Sequence, residues 1–272
     1  MLRNARYALL FTALVALTIP AAADTEELYR ASFVVTGQSE ANRLVGFRET
    51  FARVLVKLSG DATIVDDPRF AAVAADAPRL VRDFRYRDRF EGKPIHDEQG
   101  SYDRPHDLTV SFDPAVTDAA LTALGRKPWR DPRPRLFVVV GVENMRASFV
   151  LTEDGAIDRS VDMRTAFTAA AERMAMNVAF PALSQVEAGG LAAKATQQIK
   201  PADAAAFAPK EAVTVVGHMV FSEAALGWIA DWQMEHAGKS HAWNARGVNF
   251  DAAFRNAVFG AARILFGNGN PR

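Results

Sequence analysis

The chain of 272 residues balances 32 Lys and Arg against 32 Asp and Glu, for a formal charge of +0; it is 49% hydrophobic and 24% charged. That is ordinary globular composition with enough apolar mass for a core, and the lack of a net basic field argues against non-specific nucleic-acid binding. No cysteine is present, which excludes disulfides, thiol nucleophiles, Cys-ligated zinc and a cysteine-linked lipoprotein anchor.

Residues 1–23 read as a secretory signal. Arg3 and Arg6 form a positive start, residues 8–19 are apolar apart from Thr12 and Thr18, and Ala21, Ala22 and Ala23 supply a small-residue cleavage site. The apolar run is shorter than the roughly 20 residues of a membrane-spanning helix. The expected product starts near Asp24, is periplasmic, and carries a charge of −2 once Arg3 and Arg6 are lost from the +0 total. After the signal the longest apolar stretch, residues 136–142, is too short to span a membrane.

Residues 28–36 are β-branched and aromatic and end at Gly37, as in a strand. Ser39 is placed to cap a helix in which Leu44, Phe47, Phe51, Val54, Leu55 and Leu58 recur at steps of three and four before Gly60. Asp66, Asp67 and Pro68 open a short helix towards Ala77, with Pro78 closing it. Between residues 82 and 91 the period becomes two: Phe84, Tyr86 and Phe90 alternate with Arg85, Arg87 and Arg89. A polar turn leads to a returning strand at residues 106–112, and Asp113 and Pro114 start a helix that stops at Gly125. The order β-α-(α)-β-β-α predicts a ferredoxin-like N-terminal half.

Pro128, Pro132 and Pro134 mark a boundary, giving an N-terminal α+β domain at 24–127 and a C-terminal α/β domain at 133–268. Residues 135–142 read as a strand buried on both faces that opens the second sheet. An Ala-rich helix at 163–174, a short strand at 177–180 and a helix at 201–207 follow. Residues 213–221, 227–235 and 240–246 predict a three-stranded meander. A two-residue turn at Ala237 and Gly238 sets Trp232 opposite Trp243 and Met234 opposite His241. Asn249 caps a final helix striped with Phe250, Phe254, Ala257, Val258, Ala261, Ile264 and Leu265, and residues 267–270 read as a frayed tail.

The segments Leu28-Tyr29-Arg30-Ala31, Val35-Thr36-Gly37-Gln38-Ser39, Val54-Leu55-Val56-Lys57-Leu58-Ser59-Gly60-Asp61 and Leu108-Thr109-Val110-Ser111-Phe112-Asp113 carry a resemblance, as do Pro128-Trp129 and Arg133-Pro134. Phe180-Pro181-Ala182-Leu183, Val216-Gly217-His218 and Asp231-Trp232 extend it. On these the chain resembles an exported bacterial family catalogued as domain of unknown function 2066. The resemblance implies fold and compartment, with no activity to carry over.

Chemistry-bearing motifs are few. The sequence has no G-x-G-x-x-G, P-loop, H-E-x-x-H, G-x-S-x-G or S-x-x-K, so no cofactor is expected. Of the five histidines, His96, His106, His218, His236 and His241, only His236 and His241 share a predicted hairpin face. Two ligands fall short of a metal site, so no metal is expected. His218 reads as a hydrogen-bonded mid-strand residue. Asp66-Asp67 and Glu153-Asp154 sit beside turn signals and read as caps rather than acid–base pairs, and Ser39 reads as a cap rather than a nucleophile.

Arg85, Arg87 and Arg89 are the candidate ligand-binding residues. Alternate strand positions put three guanidiniums on one face about 7 Å apart, suited to an anionic glycan, a lipid headgroup or an acidic envelope protein. The competing reading is a solvated face balanced by Asp83, Asp88 and Glu91. The expected function is a non-catalytic periplasmic binding or envelope-assembly module. The alternative is a periplasmic hydrolase whose site is assembled from distant loops.

Overall fold

The computed structural model describes residues 25–93, 103–191 and 196–271; the signal at 1–23 and His96 lie outside the described residues. The protein is mixed α and β, with helices packed on two sheets.

The first unit opens with a helical turn, α1 (Thr25–Leu28), and continues into β1 (Arg30–Thr36), so the expected strand starts two residues later than the sequence suggested. Helix α2 (Glu40–Ser59) begins as expected, with Ser39 accepting a hydrogen bond from the Asn42 amide, and ends at Gly60 with φ 63°. A 3₁₀ turn at Ala62–Asp66 precedes α3 (Phe70–Ala75) and α4 (Ala77–Leu80). Pro78 therefore does not stop a helix but sits in the first turn of the next, where its missing N–H costs nothing. Strands β2 (Val81–Asp88) and β3 (Pro105–Phe112) follow, then α5 (Pro114–Ala123), whose first turn is capped by Asp113.

The sheet order is β1-β3-β2, with both outer strands antiparallel to β3. Phe51, Val54, Leu55 and Leu58 of α2 pack on Leu108, Val110 and Phe112 of β3, with Leu121 and Leu124 beside them. The opposite sheet face is open to solvent.

The second unit comprises β4 (Arg135–Glu143), β5 (Ser148–Val150), α6 (Ser160–Glu172), β6 (Val178–Ala179), α7 (Leu183–Ala188), a 3₁₀ turn at Thr196–Gln198, α8 (Pro201–Ala205), β7 (Ala212–Ser222), β8 (Gly227–His236), β9 (Lys239–Val248) and α9 (Phe250–Leu265). The sheet runs β5-β4-β7-β8-β9, with β6 also paired to β4. Strand β4 is parallel to β6 and β7, and its other pairing is antiparallel, as are those of the meander.

Its apolar run is explained by two cores. Leu136, Val138, Val140 and Val142 face α6 and α9, whereas Phe137 and Val139 face Val186, Ile199 and Ala204. The meander register matches expectation pair for pair, Trp232 to Trp243 and Met234 to His241, around a turn whose Ala237 and Gly238 have φ 49° and 73°. Asn249 caps α9 by accepting from the Ala252 amide.

The tail is docked, not frayed. Asn268 Nδ2 donates to the Ser59 carbonyl over 2.8 Å, and Asn270 Oδ1 meets His241 Nδ1. Among the described residues no helix is long and apolar enough to cross a membrane.

Candidate functional site

The face of α2 not used for the first core points at the second unit. Glu49, Ala52, Arg53 and Val56 fall on one stripe of the helix, and Val56 packs against both cores. Across from them lie Arg173, at the end of α6 beside the buried Met174, and Arg255 and Phe259, one turn apart on α9. The seam between the units holds two adjoining cavities that share Arg53 and Arg173. The larger, of about 440 Å³, adds Arg30, Ser32 and Lys57 together with the carboxylates of Glu27 and Glu172. The smaller, of about 200 Å³, adds Arg255 and an apolar wall of Val56, Val65, Met174 and Phe259.

Neutral groups hold these cations. Arg53 Nη1 donates to the Ser32 carbonyl over 2.6 Å, and its guanidinium lies 4.9 Å above the Phe33 ring. Lys57 Nζ donates to the carbonyls of Glu27 (2.8 Å) and Arg30 (2.6 Å). The side chains of Arg173 and Arg255 make no hydrogen bond or ion pair among the described residues. Burial, followed by the charge of Arg173, pulls the Arg53 guanidinium below its ordinary value, Glu49 opposing. Burial and then Arg255 do the same to Arg173, Asp251 opposing. Burial pushes the Lys57 ammonium down to about 8. The arginines stay protonated at neutral pH. The seam thus assembles mutually repelling guanidiniums whose forked donors match a bound oxyanion.

The arginines singled out on β2 sit elsewhere, at an edge of the first sheet. Arg85 and Arg87 lie on its solvated face opposite Thr109 and Asp107, whereas Arg89 falls just beyond the strand. Arg87 pairs with Asp107 at 2.6 Å and Arg89 reaches the same carboxylate at 3.7 Å. Asp107, a β3 residue read only as strand, therefore offsets much of their charge. Arg85 has no side-chain hydrogen bond or ion pair among the described residues.

Other polar residues resolve into local roles. Asp67 binds the Arg69 side chain and amide, which holds its carboxyl at about 2. Asp154 accepts from the Leu183 amide at the start of α7, which lowers its carboxyl below the usual value. His106 is buried, with Nδ1 on the Arg104 carbonyl at 2.8 Å. His218 Nε2 lies 3.3 Å from Glu143 Oε1, and Asp231 is its cross-strand neighbour. A cavity of about 520 Å³ on that sheet face adds Gln197, Gln233 and Asn244. Among the described residues no group of three or more His, Cys, Asp or Glu is placed to hold a metal ion.

Residues 22–130 match the family model described as Domain of unknown function (DUF8605). No curated protein and no solved structure matches the chain. The match overturns the resemblance to domain of unknown function 2066: most of the segments that carried it fall within 22–130 but score to a different family. Those segments are largely caps, stops and core positions, Ser39, Gly60, Leu58 and Leu108 among them. Such residues report on helix ends and sheet packing more than on ancestry.

Proposed function

We propose that the chain is an exported, non-catalytic binding module of the cell envelope that holds an anionic ligand in the seam between its two units. The observation that carries this reading is that Arg53 and Arg173 line both cavities and Arg255 the smaller; with Arg30 and Lys57 they outnumber the carboxylates of Glu27, Glu49 and Glu172 beside them. Among the described residues Arg53 alone of the three has close partners, the Ser32 carbonyl and the Phe33 ring. An oxyanion there relieves the repulsion and gives Arg173 and Arg255 a direct acceptor beside the more distant Glu49 and Asp251. The split arrangement of the first unit, with β3 inserted between β1 and β2, supports a ferredoxin-like description. The basic start, apolar run and alanine-rich end of residues 1–23 support periplasmic export. Either an acidic envelope protein or an anionic glycan or lipid headgroup supplies such a charge.

The test is thermal unfolding with sulfate and phosphate at constant ionic strength. A ligand at about 100 times its Kd stabilises by about 2.7 kcal/mol, roughly 5–10 °C for a chain of this size. Arg53→Ser with Arg173→Ser should abolish that shift, and Arg85→Ser, Arg87→Ser and Arg89→Ser together should leave it. If the β2 variants abolish it instead, the ligand belongs at the sheet edge. If neither anion shifts the melt, the reading fails. Export is checked by the N-terminus of periplasmic protein, expected near Asp24.

The second reading, a hydrolase, draws on His218 between Glu143 and Asp231. Among the described residues that line that cavity, His218 and Asp231 are the groups able to activate a water as nucleophile. Loss of an ester- or phosphoester-cleaving activity in His218→Gln would favour it.

A further inference from the structure

The two cavities that share Arg53 and Arg173 differ in character. The larger is edged by charged and hydroxyl groups, whereas the smaller sets Val56, Val65, Met174 and Phe259 beside the three arginines, with Glu49 the one carboxylate among its described lining residues. Val65 leaves 41% of its surface exposed here, although it sits in a turn that could have held any polar residue. Ala52, one helical turn from Val56 on α2, leaves the space open. A free inorganic anion uses the guanidiniums and leaves this apolar wall wet. A ligand with an apolar group next to its charge uses both.

We propose that the ligand is an amphipathic oxyanion, its carboxylate or phosphate set among Arg53, Arg173 and Arg255 and its short apolar group in the cavity of about 200 Å³. The inference rests on the seam being an anion site. Its source is either a free organic acid or the phosphate of a lipid-like ester, two forms of one chemistry. The head meets forked N–H donors, and the tail is removed from water against aliphatic and aromatic side chains.

Calorimetric titration of the full mature chain with acetate, butyrate and hexanoate, and with phosphate against hexyl phosphate, decides it. Affinity should rise about fourfold per methylene buried until the cavity is full. The stronger of the two six-carbon probes identifies the head. Ala52→Phe fills the cavity, so the chain-length gain should vanish while acetate or phosphate binds as before. Val65→Asp, at an exposed position, gives the same answer should the larger side chain hinder folding. If hexanoate binds no tighter than acetate, with both still dependent on Arg53 and Arg173, the amphipathic ligand is wrong and the anion site stands. If 1-hexanol binds as well as hexanoate, the guanidiniums are not the anchor and the proposal falls. If no probe of either series binds, the anion site itself is refuted.

Discussion

Asp61 is 1% exposed and accepts from the Thr63 amide at 3.0 Å and hydroxyl at 2.8 Å, with Arg126 at 3.3 Å and Arg263 also bound. Burial pushes its carboxyl up, but the Thr63 and Arg263 hydrogen bonds outweigh that and hold it below the usual carboxylate range. A lowered folded value means Asp61 stabilises the fold above its unfolded pKa, about 3.9, and this contribution is lost as pH falls through the folded value. Asp61→Ala should cost about 1–3 kcal/mol at pH 7, because it leaves the Thr63 donors and the partly exposed Arg126 and Arg263 without their acceptor. Urea unfolding of the two proteins at pH 7 and pH 3 should show the gap narrowing on acidification.

Lys57 also carries a lowered value, but here it is the charged form that folding disfavours. Its folded value of about 8 lies below the ordinary 10.5, so between those values the unfolded chain binds more protons and stability rises with pH. The rise should reach about 3 kcal/mol by pH 10.5 and be absent in Lys57→Met, read from unfolding midpoints at pH 7, 8, 9 and 10. Neither residue stands out in the sequence. Lys57 and Asp61 sit in the run that ends α2, where a lysine and an aspartate have ready explanations as last-turn charge and turn former.

At the scale of elements, the second sheet packs its rings by omitting side chains. A Cβ on Gly217 would lie 2.1 Å from Cζ3 of Trp232, and one on Gly260 would lie 2.4 Å from Nε1 of Trp243. Trp232 is fully buried and Trp243 Nε1 donates to the Asn256 carbonyl, so neither ring can step aside. Gly217→Ala should destabilise by about 1–3 kcal/mol through overpacking, with a matching loss of near-ultraviolet tryptophan dichroism. The Trp232–Trp243 register was legible because alternation and a φ-positive two-residue turn fix it from within twelve residues of sequence. The ends of α2, α5 and α9 were legible because their caps are local. Pro78 was not, since one proline fits the end of a helix or the first turn of the next. The seam site was invisible for a stronger reason. Arg53, Arg173 and Arg255 belong to three segments separated by about a hundred residues, and only packing converges them, whereas Arg85, Arg87 and Arg89 advertise themselves by spacing while Asp107, their partner, comes from another strand.

Across the whole molecule, the carbonyls at the end of α2 are completed by the other unit and its connector. Lys57 O accepts from Arg133, Leu58 O from the Trp129 amide at 2.6 Å and Ser59 O from Asn268. Trp129 also stacks on Phe266 at 5.6 Å and lies under the Arg133 guanidinium at 4.6 Å. The proline-rich boundary read from the sequence is thus a tether that fastens the units together. Wild-type protein should unfold in one calorimetric transition. Trp129→Ala should cost about 3–5 kcal/mol and split that transition in two.

Arg263 and Asn268 reach partners 202 and 209 positions upstream. A chain that emerges N-terminus first therefore leaves the finish of its earliest long helix waiting on residues made about two hundred positions later. Until those arrive, the unsatisfied backbone there is open to proteases and holdase chaperones, so neither half matures ahead of the other.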